Sequence, residues 1–552
     1  MRIAASREIR IEDLEFEPPS PGSWTLDRTH YPRPVARFIS EPAATFEDPY
    51  ARGFIESLRR YGTVILRPDY RFVHGFCYLC VRPAPQDELP ERFENAVRTF
   101  DTRLWRADLR RWDQEVKPAS IRAHLALQRV DPRGLSHEQL LEHVAACYGH
   151  LRRMFEQQYR FVAPALLPTG DFVAQASELS ATAPAELLVL TRGSAPISAG
   201  AEDGLQQLAD AIRGDAQATA ILDSGEPPAE ILAALRNRAS PTGAAANAYL
   251  QMVECRLIDG FEVGSPCGFE LPEVLVEAVR HGVEGVQRNQ DVAQETERVR
   301  ERVPATERAR FDELLSEARH TYRLRDERSV YSSVWAMGLM RRAILAAGQR
   351  LADQGRIEDP AHLVDATYDE IISMLGGGDG PSAAQLAAHA QFRSRYTAAD
   401  APPALGDPPP PPPPLEQLPA AAARATRAII TAVGLLFADA DAESGAGVVR
   451  GLPASPGVYE GTARVLRGPD ELGRLRQGDV LVTAATSEAF NVVLPLLGAL
   501  VTDYGGLLAH AAIVAREFGI PGVVGTHDAT SIIDDGATVR VDGTAGEVRL
   551  LS

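Results

Sequence analysis

The sequence predicts a multidomain α+β protein, in which a largely helical body precedes a compact C-terminal α/β domain. At 552 residues the chain is too long for one hydrophobic core, so several domains are expected. From residue 86 to 396, apolar residues recur at helical spacing, for example in Glu138–Phe155 and Val330–Leu351. From residue 451 onward the pattern changes to short strands that are separated by Gly, Pro and Asp, with one inserted helix.

Residues 1–85 are predicted to form the mixed α/β N-terminal part of the body, and residues 86–396 its mostly helical part. The run RFVHGFCYLCVR, Arg71–Arg82, is rich in β-branched and aromatic residues and stops at a proline, which indicates one buried strand. Cys77 and Cys80 in this run form a CxxC pair. Because the sequence has neither a second pair nor a nearby His-x-His cluster, we expect a strand here and no metal site.

Residues 397–450 are predicted to be a proline-rich linker and a hinge helix. Pro408–Pro414 should adopt the extended polyproline II form, which has no internal hydrogen bonds. Ala420–Ala438 is one predicted helix, and the Gly/Ala/Ser-rich joint Glu443–Gly451 is the predicted hinge. The C-terminal domain occupies residues 451–552, and such a joint would let it move while keeping it at high effective concentration.

The composition disfavours several classes of function. A formal net charge of −18 argues against a sequence-independent grip on nucleic acid or on an anionic membrane. The N-terminus mixes charges and has no apolar core of signal-peptide length. The longest apolar stretch, around Ala428–Ala438, falls short of the roughly 20 residues that a membrane span needs. Five cysteines do not make a disulfide framework. We therefore expect a cytoplasmic protein without nucleic-acid or membrane partners.

The segment TDYGGLLAHAAIVAREFGIPGVVG, Thr502–Gly525, carries the strongest chemical signal. It opens as the end of a strand, Gly505 and Gly506 permit a sharp turn, and His510 stands where a helix begins. The helix, His510–Phe518, is stopped by a glycine and a following proline. Free N–H groups and the helix dipole favour a bound phosphate at this end, and neutral imidazole is a nucleophile. His510 is therefore a candidate phosphoryl carrier; the alternative is a histidine that merely caps or packs against the helix.

Together with GLPASPGVYEGTARVL before it and TVRVDGTAGEV after it, this segment resembles the mobile domain of the phosphoenolpyruvate-utilising enzymes. The family includes phosphoenolpyruvate synthase, pyruvate phosphate dikinase, phenylphosphate synthase and rifampin phosphotransferase. The resemblance covers roughly Gly451–Leu551 and implies a swivelling β/β/α phosphohistidine domain that carries a phosphoryl group on His510. Arg516 and Glu517 match the family's A-R-E triplet, and we expect structural roles for them.

The body is similar to the substrate domain of the rifampin phosphotransferase group at two places. SWTLDRTHYPRPV, Ser23–Val35, looks like the group's W-x-x-D-x-x-H-x-P-x-P opening, and Tyr322–Ile357 looks like its R-E-x-x-R helix with the L-G-x-x-L-x-x-x-G pattern after it. Arg325 and Arg328 share a helix face, where they could clamp a phosphate or a carboxylate; the alternative is a solvated charged face. The group has a lysine four residues after the matching arginine, where this chain has Ser329.

Further candidates come from the residue types alone. The imidazole of His30 is suited to deprotonating an acceptor hydroxyl, although the sequence HYP can equally be a packing element. Glu254 and Arg256, with Glu262 and Glu270 after them, lie close to chain-reversing glycines, and one of these residues could act as a general base or bind the substrate or its phosphate.

The resemblance and the departures from it predict a function. No phosphoenolpyruvate-binding barrel follows the C-terminal domain in this sequence, and Leu508 replaces the threonine that is phosphorylated in regulation two residues before the histidine. The first 400 residues have no Gly-rich phosphate loop with a following lysine. We therefore expect the histidine-carrying component of a split phosphotransferase. A separate ATP-grasp-type protein would bind ATP and Mg²⁺ and phosphorylate His510, so this chain alone would bind no cofactor.

His510 would then pass the phosphoryl group to a hydroxyl of an organic small molecule, such as a natural product or a drug-like compound. Two alternatives remain open. In the first, the phosphorylated hydroxyl is eliminated as phosphate, so that the protein acts as a dehydratase. In the second, the chain is a non-catalytic phosphocarrier or scaffold, which predicts no substrate pocket in the first 400 residues.

Overall fold

A computed structural model describes the chain at residues 8–40, 47–196, 204–258, 260–285, 292–408, 414–438, 445, 447–486 and 496–551. The chain divides into two compact units. The first unit comprises Met1–Ala163, Gly260–Ser265 and Arg328–Thr426, and the second comprises Pro164–Asp259, Pro266–Glu327 and Arg427–Ser552.

Helices dominate the middle of the chain, as predicted. In chain order the α-helices are α1 (Arg37–Ser40), α2 (Glu47–Arg60), α3 (Leu89–Thr102), α4 (Leu104–Arg111), α5 (Lys117–Gln128), α6 (His137–Arg160), α7 (Val162–Ser180), α8 (Pro184–Val189), α9 (Leu205–Arg213), α10 (Ala216–Leu222), α11 (Pro228–Arg236), α12 (Pro241–Val253), α13 (Pro272–Glu284), α14 (Ala293–Arg302), α15 (Arg308–Thr321), α16 (Leu324–Ser329), α17 (Trp335–Asp353), α18 (Tyr368–Leu375), α19 (Ala383–Arg395), α20 (Ala420–Phe437), α21 (His510–Phe518) and α22 (Ala529–Ile532). Two π-helical segments, Trp112–Val116 and Val330–Val334, join α4 to α5 and α16 to α17.

The strands form one sheet in each unit. In chain order they are β1 (Trp24–Leu26), β2 (Ile65–Val73), β3 (Phe76–Pro83), β4 (Ala404–Leu405), β5 (Val448–Arg450), β6 (Leu452–Ser455), β7 (Val458–Leu466), β8 (Val480–Thr483), β9 (Ala499–Thr502), β10 (Gly522–Val524), β11 (Thr538–Asp542) and β12 (Glu547–Leu550). The sheet of the first unit has the order β2-β3-β1-β4, and that of the second unit has the order β5-β12-β11-β7-β8-β9-β10-β6.

The prediction of one strand over Arg71–Arg82 is wrong, because β2 and β3 form an antiparallel hairpin there. The turn between the strands has positive φ at both of its residues, 52° at His74 and 84° at Gly75. This is the geometry of type I′ turns, whose twist matches that of the flanking strands. Cys77 and Cys80 are buried in β3. No group of three or more potential metal ligands occurs among the residues that the structure describes.

An apolar core fixes the end of β1 in the first unit. Trp24 of β1 is fully buried and belongs to a cluster with Phe76 and Tyr78 of β3 and with Phe392 of α19. The chain leaves β1 directly into the turn that contains His30. The core therefore anchors the strand that leads into the turn of His30.

The helical part of the second unit has a core of its own. Leucine, isoleucine and valine side chains of α9 to α13 pack together there, and the cluster includes Leu208, Ile212, Leu235, Leu250 and Leu275. Their spacing of three and four residues within each helix is the helical periodicity that the sequence displays for this region.

The described part of the C-terminal domain contains short strands with one inserted helix, as predicted; the strands are β7 to β12, with β5 and β6 in addition. Three neighbouring pairs of strands are parallel: β7 with β8, β8 with β9, and β9 with β10. Helix α21 connects β9 to β10, as a crossover between parallel strands requires. Residue 510 therefore lies beyond the C-terminal end of β9. In α/β sheets, ligands bind at the edge that the C-terminal ends of the parallel strands form.

Helix α20 confirms the predicted helix over Ala420–Ala438 to within one residue. Residues 409–413 of the predicted linker and residues 443, 444 and 446 of the predicted hinge lie outside the described residues. By length and composition, α20 alone among the described helices could cross a membrane. A Cβ on Gly170 of α7 would lie 1.9 Å from the carbonyl oxygen of Ala428, and both Ala428 and Ala432 are buried. One face of α20 is therefore packed closely against α7.

Candidate active site

His510 is the first residue of α21, where the sequence predicted it. Ala509 caps the helix with an extended backbone (φ −68°, ψ 158°) and makes no side-chain hydrogen bond. The first N–H groups of an α-helix have no acceptor within the helix, and the helix dipole is positive at this end. The start of α21 therefore suits the oxygens of a phosphoryl group beside the imidazole.

The turn between β9 and α21 depends on two glycines. Gly505 has φ 100°, a conformation that favours glycine. A Cβ on Gly506 would lie 2.3 Å from the carbonyl oxygen of Leu435 in α20. The N–H of Gly506 donates to the carbonyl of Leu436 (2.9 Å), and that of Leu508 donates to the carbonyl of Leu435 (3.0 Å). Gly505 thus bends the chain, and Gly506 lets the turn pack against the end of α20.

Asp503 supports the same turn from the end of β9. Its buried carboxylate accepts a hydrogen bond from the N–H of Thr530 (2.9 Å) and another from the Thr530 hydroxyl. Burial raises the pKa of Asp503, and the hydrogen bonds from Thr530 offset part of that increase. Asp503 therefore holds α22 against the strand that leads to His510.

The imidazole of His510 is buried beside a second buried carboxylate. His510 is 5% exposed, and neither ring nitrogen has a hydrogen-bond partner among the described residues. Its Nδ1 lies 3.6 Å from Oδ2 of Asp326, which is 1% exposed. The other oxygen of Asp326, Oδ1, accepts a hydrogen bond from Nη1 of Arg325 at 2.9 Å. The structure thus links the predicted residues His510 and Arg325 through Asp326.

Helix α16, which contains Arg325 and Asp326, is buried rather than solvated. Arg325, Asp326 and Glu327 are 8%, 1% and 0% exposed. Glu327 is paired with Arg323, with Nη1 2.7 Å from Oε1. The Nε of Arg325 has no hydrogen-bond partner in the described part of the chain. The alternative of a solvated charged face is therefore wrong for Arg325, and its guanidinium retains a donor for an anion.

Arg328 lies in the same helix but is grouped with the first unit. Its Nη1 donates to the carbonyl of Gln158 in α6 at 3.4 Å. This contact joins the last turn of α16 to α6 within the first unit. A joint grip of Arg325 and Arg328 on one phosphate stays a prediction.

Arg516 connects three segments of the second unit. The guanidinium is 1% exposed and donates to the carbonyls of Ala454 (3.0 Å) and Leu507 (2.8 Å), both within the C-terminal domain. It also donates to the hydroxyl of Tyr322, just after α15, at 3.0 Å. Such contacts are the structural role expected for this residue.

Glu517 ties the C-terminal domain to the turn after α8. Its carboxylate is 1% exposed and accepts the N–H of Gly193 at 3.0 and 3.1 Å. Burial raises the pKa of Glu517 to about 7, although hydrogen bonds from Gly193, Ala195 and Ser194 and the charge of Arg516 act in the opposite direction. Because the carboxylate of Glu517 is buried, the strength of this contact depends on whether Glu517 is protonated.

His30 forms an imidazole–carboxylate pair in the first unit. Its Nδ1 lies 2.9 Å from Oδ2 of Asp27, which is fully buried, and its backbone N–H donates to Oδ1 of Asp27 at 3.0 Å. The ring meets that of Phe261 edge to face, with centroids 5.5 Å apart. A carboxylate at Nδ1 fixes the tautomer in which Nε2 carries the lone pair, as a general base requires.

Glu254 and Arg256 contribute to the helical part of the second unit. Glu254 forms an ion pair with Arg236 of α11, with Oε2 2.7 Å from Nη2. Arg256 is 8% exposed, and its carbonyl accepts the N–H of Gly268 at 3.1 Å. The carboxylate of Glu270, also in the second unit, accepts the N–H of Cys267 (3.0 Å), and that of Glu262, in the first unit, accepts the N–H of Gly264 (2.7 Å). These contacts stabilise loops and helix ends, and the proposed chemical roles of Glu254 and Arg256 stay predictions.

Sequence reasoning missed the two carboxylates, Asp27 and Asp326. Asp27 had an available signal, since it stands three residues before His30 in the W-x-x-D-x-x-H pattern and a turn brings such residues together. Asp326 had none, because its imidazole partner comes from a distant part of the chain.

Two family models match the regions that meet at His510. Residues 475–546 match the model "PEP-utilising enzyme, mobile domain", and residues 169–348 match the model "Rifampicin phosphotransferase fourth domain". The first match contains His510, and the second contains Arg325 and Asp326. The contact between His510 and Asp326 therefore joins the two matched regions.

Curated relatives agree with these matches. An uncharacterized phosphotransferase, YvkC of Bacillus subtilis, is 31% identical over 247 residues, which are 44% of this chain and 28% of the relative. A rifampicin phosphotransferase of Bacillus cereus is 46% identical over 101 residues, 18% of this chain and 12% of the relative. A chondramide synthase of Chondromyces crocatus is 27% identical over 512 residues, 88% of this chain and 13% of the relative. The chain thus spans only a minor part of the length of these relatives.

The matches confirm the resemblances predicted from Thr502–Gly525 and from Tyr322–Ile357. Both relate the chain to phosphotransferases, and both include residues that surround His510. Residues 475–546 are therefore similar to the mobile domain of the phosphoenolpyruvate-utilising enzymes, and residues 169–348 before them are similar to the fourth domain of rifampicin phosphotransferase.

Proposed function

We propose that the chain is the histidine-carrying component of a split phosphotransferase. A separate ATP-binding protein of the ATP-grasp type phosphorylates His510, and His510 passes the group to a hydroxyl of an organic small molecule. The observation that carries this proposal is the placement of His510: it is buried at the start of α21, without a hydrogen bond on either ring nitrogen among the described residues, and next to the Arg325–Asp326 pair.

The chemistry of this placement suits a covalent phosphoryl intermediate. An imidazole nitrogen attacks the donor phosphorus, and the phosphohistidine splits one difficult transfer into two easier ones. The N–H groups at the start of α21 and the guanidinium of Arg325 are suited to the negative charge on the transferred group. ATP and Mg²⁺ act on the partner protein in this proposal, so this chain needs no cofactor of its own.

His30 is the proposed base for the acceptor hydroxyl. The Asp27 carboxylate 2.9 Å from its Nδ1 supports this role, because the pair resembles the base and orienting group of other hydroxyl-activating enzymes. Relatives named as a rifampicin phosphotransferase and a chondramide synthase support an organic acceptor. Arg328, Glu254 and Arg256 remain further candidates for binding the acceptor or its phosphate. We also propose a cytoplasmic location and no nucleic-acid or membrane partner.

The test is phosphoryl transfer from labelled ATP. The full chain is incubated with β- or γ-³²P-ATP, with and without a genomically adjacent ATP-grasp-type protein, and candidate acceptors are then added. We expect partner-dependent, acid-labile label on the wild type and on the control His527→Asn, since His527 is an exposed histidine of the same domain with φ 68° that asparagine tolerates. His510→Ala should carry none.

Three results distinguish the alternatives. Label that passes from His510 to the acceptor supports the phosphotransferase, whereas free phosphate with a dehydrated product identifies the dehydratase. Label that stays on His510 with every acceptor identifies a phosphocarrier. Absence of label with any ATP-grasp-type partner, or equal label on His510→Ala, contradicts the proposal.

A further inference from the structure

The two carboxylate oxygens of Asp326 have different partners in the second unit. Oδ1 accepts a hydrogen bond from Arg325 at 2.9 Å, and Oδ2 lies 3.6 Å from Nδ1 of His510. All three residues are more than nine-tenths buried. The ion pair with Arg325 compensates the burial of the Asp326 charge and orients the carboxylate, so that its second oxygen is directed to the imidazole.

We propose that Asp326 is a positioning residue that keeps a proton on Nδ1 of His510 and thereby directs the phosphoryl group to Nε2. This role rests on the carrier function proposed above. A phosphoryl group on Nδ1 would place its charged oxygens against the Asp326 carboxylate, and like charges at such a separation repel strongly in a buried site. A proton on Nδ1 faces an acceptor instead, and the lone pair of the ring then lies on Nε2.

The same proton assists both half-reactions. In loading, the lone pair of Nε2 forms the P–N bond, the donor's leaving group departs with its electron pair, and Nδ1 keeps its proton. In transfer, the acceptor oxygen forms the P–O bond, the P–N bond breaks, and its electron pair returns to Nε2. The ring then leaves as neutral imidazole rather than as imidazolate, because Nδ1 is still protonated. The proton of the acceptor hydroxyl goes to the general base, for which His30 is the candidate.

The contact between Asp326 and His510 also depends on docking. Asp326 belongs to α16, and His510 belongs to the C-terminal domain. A mobile carrier loses this carboxylate when its domain leaves α16 for a donor. Asp326 therefore acts on His510 only while the two segments are in contact, where it excludes a phosphoryl group from Nδ1 and favours release of the group from Nε2.

Chemical phosphorylation tests this role without a partner or an acceptor. The full chain is treated with potassium phosphoramidate, and ³¹P NMR identifies which ring nitrogen of His510 carries the phosphoryl group. Wild type should give the Nε2 isomer. Asp326→Asn has the same shape without the charge; it should give both isomers, and its Nε2-phosphohistidine should lose phosphate to water about tenfold more slowly at pH 8, since less of it is protonated on Nδ1. In the unphosphorylated protein, ¹⁵N shifts of the ring should move away from the Nδ1–H tautomer.

Two further variants separate positioning from folding. Asp312→Asn removes an exposed carboxylate of the same unit, which pairs with Arg300, and should behave as wild type. Asp326→Glu retains the charge and should restore the Nε2 isomer. Formation of the Nδ1 isomer in wild type, or identical isomers and rates in wild type and Asp326→Asn, overturns the role of Asp326 alone. Failure of phosphoramidate to label His510 in the folded chain contradicts the carrier function itself, and the role of Asp326 with it.

Discussion

The two imidazole–carboxylate pairs of this protein are built in different ways. His30 and Asp27 come from one turn of the first unit, and their side chains lie 2.9 Å apart. His510 and Asp326 come from distant segments of the second unit, and their side chains lie 3.6 Å apart. The first pair is formed by local backbone geometry, which also hydrogen bonds the N–H of His30 to Asp27. The second pair exists only because the C-terminal domain packs on α16.

This difference agrees with the two roles proposed for the histidines. A general base needs one fixed tautomer, and a partner three residues away provides it permanently. A phosphoryl carrier needs different surroundings when it is loaded and when it is discharged, and a partner from another segment provides them only in the docked state. The following predictions test this contrast, from the largest expected effect to the smallest.

Replacing His30 should affect transfer to the acceptor without affecting the loading of His510, and it is the largest effect that we expect. We expect His30→Ala to load phosphate on His510 normally but to transfer it to an acceptor at least about 100-fold more slowly, because general base catalysis contributes that much or more. The measurement is single-turnover transfer from the phosphorylated chain. His137→Ala, at an exposed histidine of the first unit, is the control. If His30→Ala transfers at the wild-type rate, His30 is not the base.

The stability of the folded protein should depend on pH through Glu517, which accepts the N–H of Gly193. Its pKa is about 7 in the folded protein, above the ordinary value of 4.5 that applies after unfolding. The folded state therefore binds the proton of Glu517 more tightly than the unfolded state does, and this binding adds to the free energy of unfolding. The added stability is fully present below about pH 4.5 and is lost progressively as pH rises to about 7, by up to about 3 kcal/mol. Thermal unfolding between pH 4.5 and 8 should show this loss in wild type and a smaller one in Glu517→Gln. Equal pH profiles of the two proteins would remove Glu517 from the explanation.

The turn before α21 should tolerate no side chain at Gly506. A Cβ there would lie 2.3 Å from the carbonyl oxygen of Leu435, so Gly506→Ala should lower the free energy of unfolding by about 2 kcal/mol. Gly434, one position earlier in α20, has open space around its Cβ position, and Gly434→Ala should instead stabilise the protein by about 0.5–1 kcal/mol. Denaturant unfolding of both variants measures the two effects. The same sign for both would contradict the packing of this turn against α20.

Arg325 should matter through its planar geometry as well as its charge. Arg325→Lys keeps the charge but loses the planar set of N–H donors that can bind Asp326 and a phosphate at the same time. We therefore expect transfer from phosphorylated His510 to slow by about tenfold, whereas loading of His510 should be normal. Arg302→Lys, at a half-exposed ion pair with Glu186, is the control for a general loss of arginine contacts. Unchanged transfer in Arg325→Lys would assign Arg325 to packing alone.

Much of the fold followed from local patterns in the sequence. The limits of α21, the helix α20 and the strands β7 to β12 agree with the prediction, because caps, glycine stops and hydrophobic periodicity act over a few residues. The hairpin of β2 and β3 also had a local signal, the His74–Gly75 pair, but the apolar run around it favoured a single strand. His510 was identified in the same way, since its helix start and its resemblance to the mobile domain are both local.

The sequence by itself determined that a histidine stands at the start of a helix in a phosphohistidine-type domain. It did not determine what surrounds that histidine. Asp326 at Nδ1, Glu517 on the N–H of Gly193 and Gly506 against Leu435 all join residues from separate segments. Such contacts depend on how domains and helices pack, and that packing is the sum of many weak apolar interactions that no short pattern encodes. The nucleophile could therefore be read from the sequence, whereas its electrostatic partner required the tertiary structure.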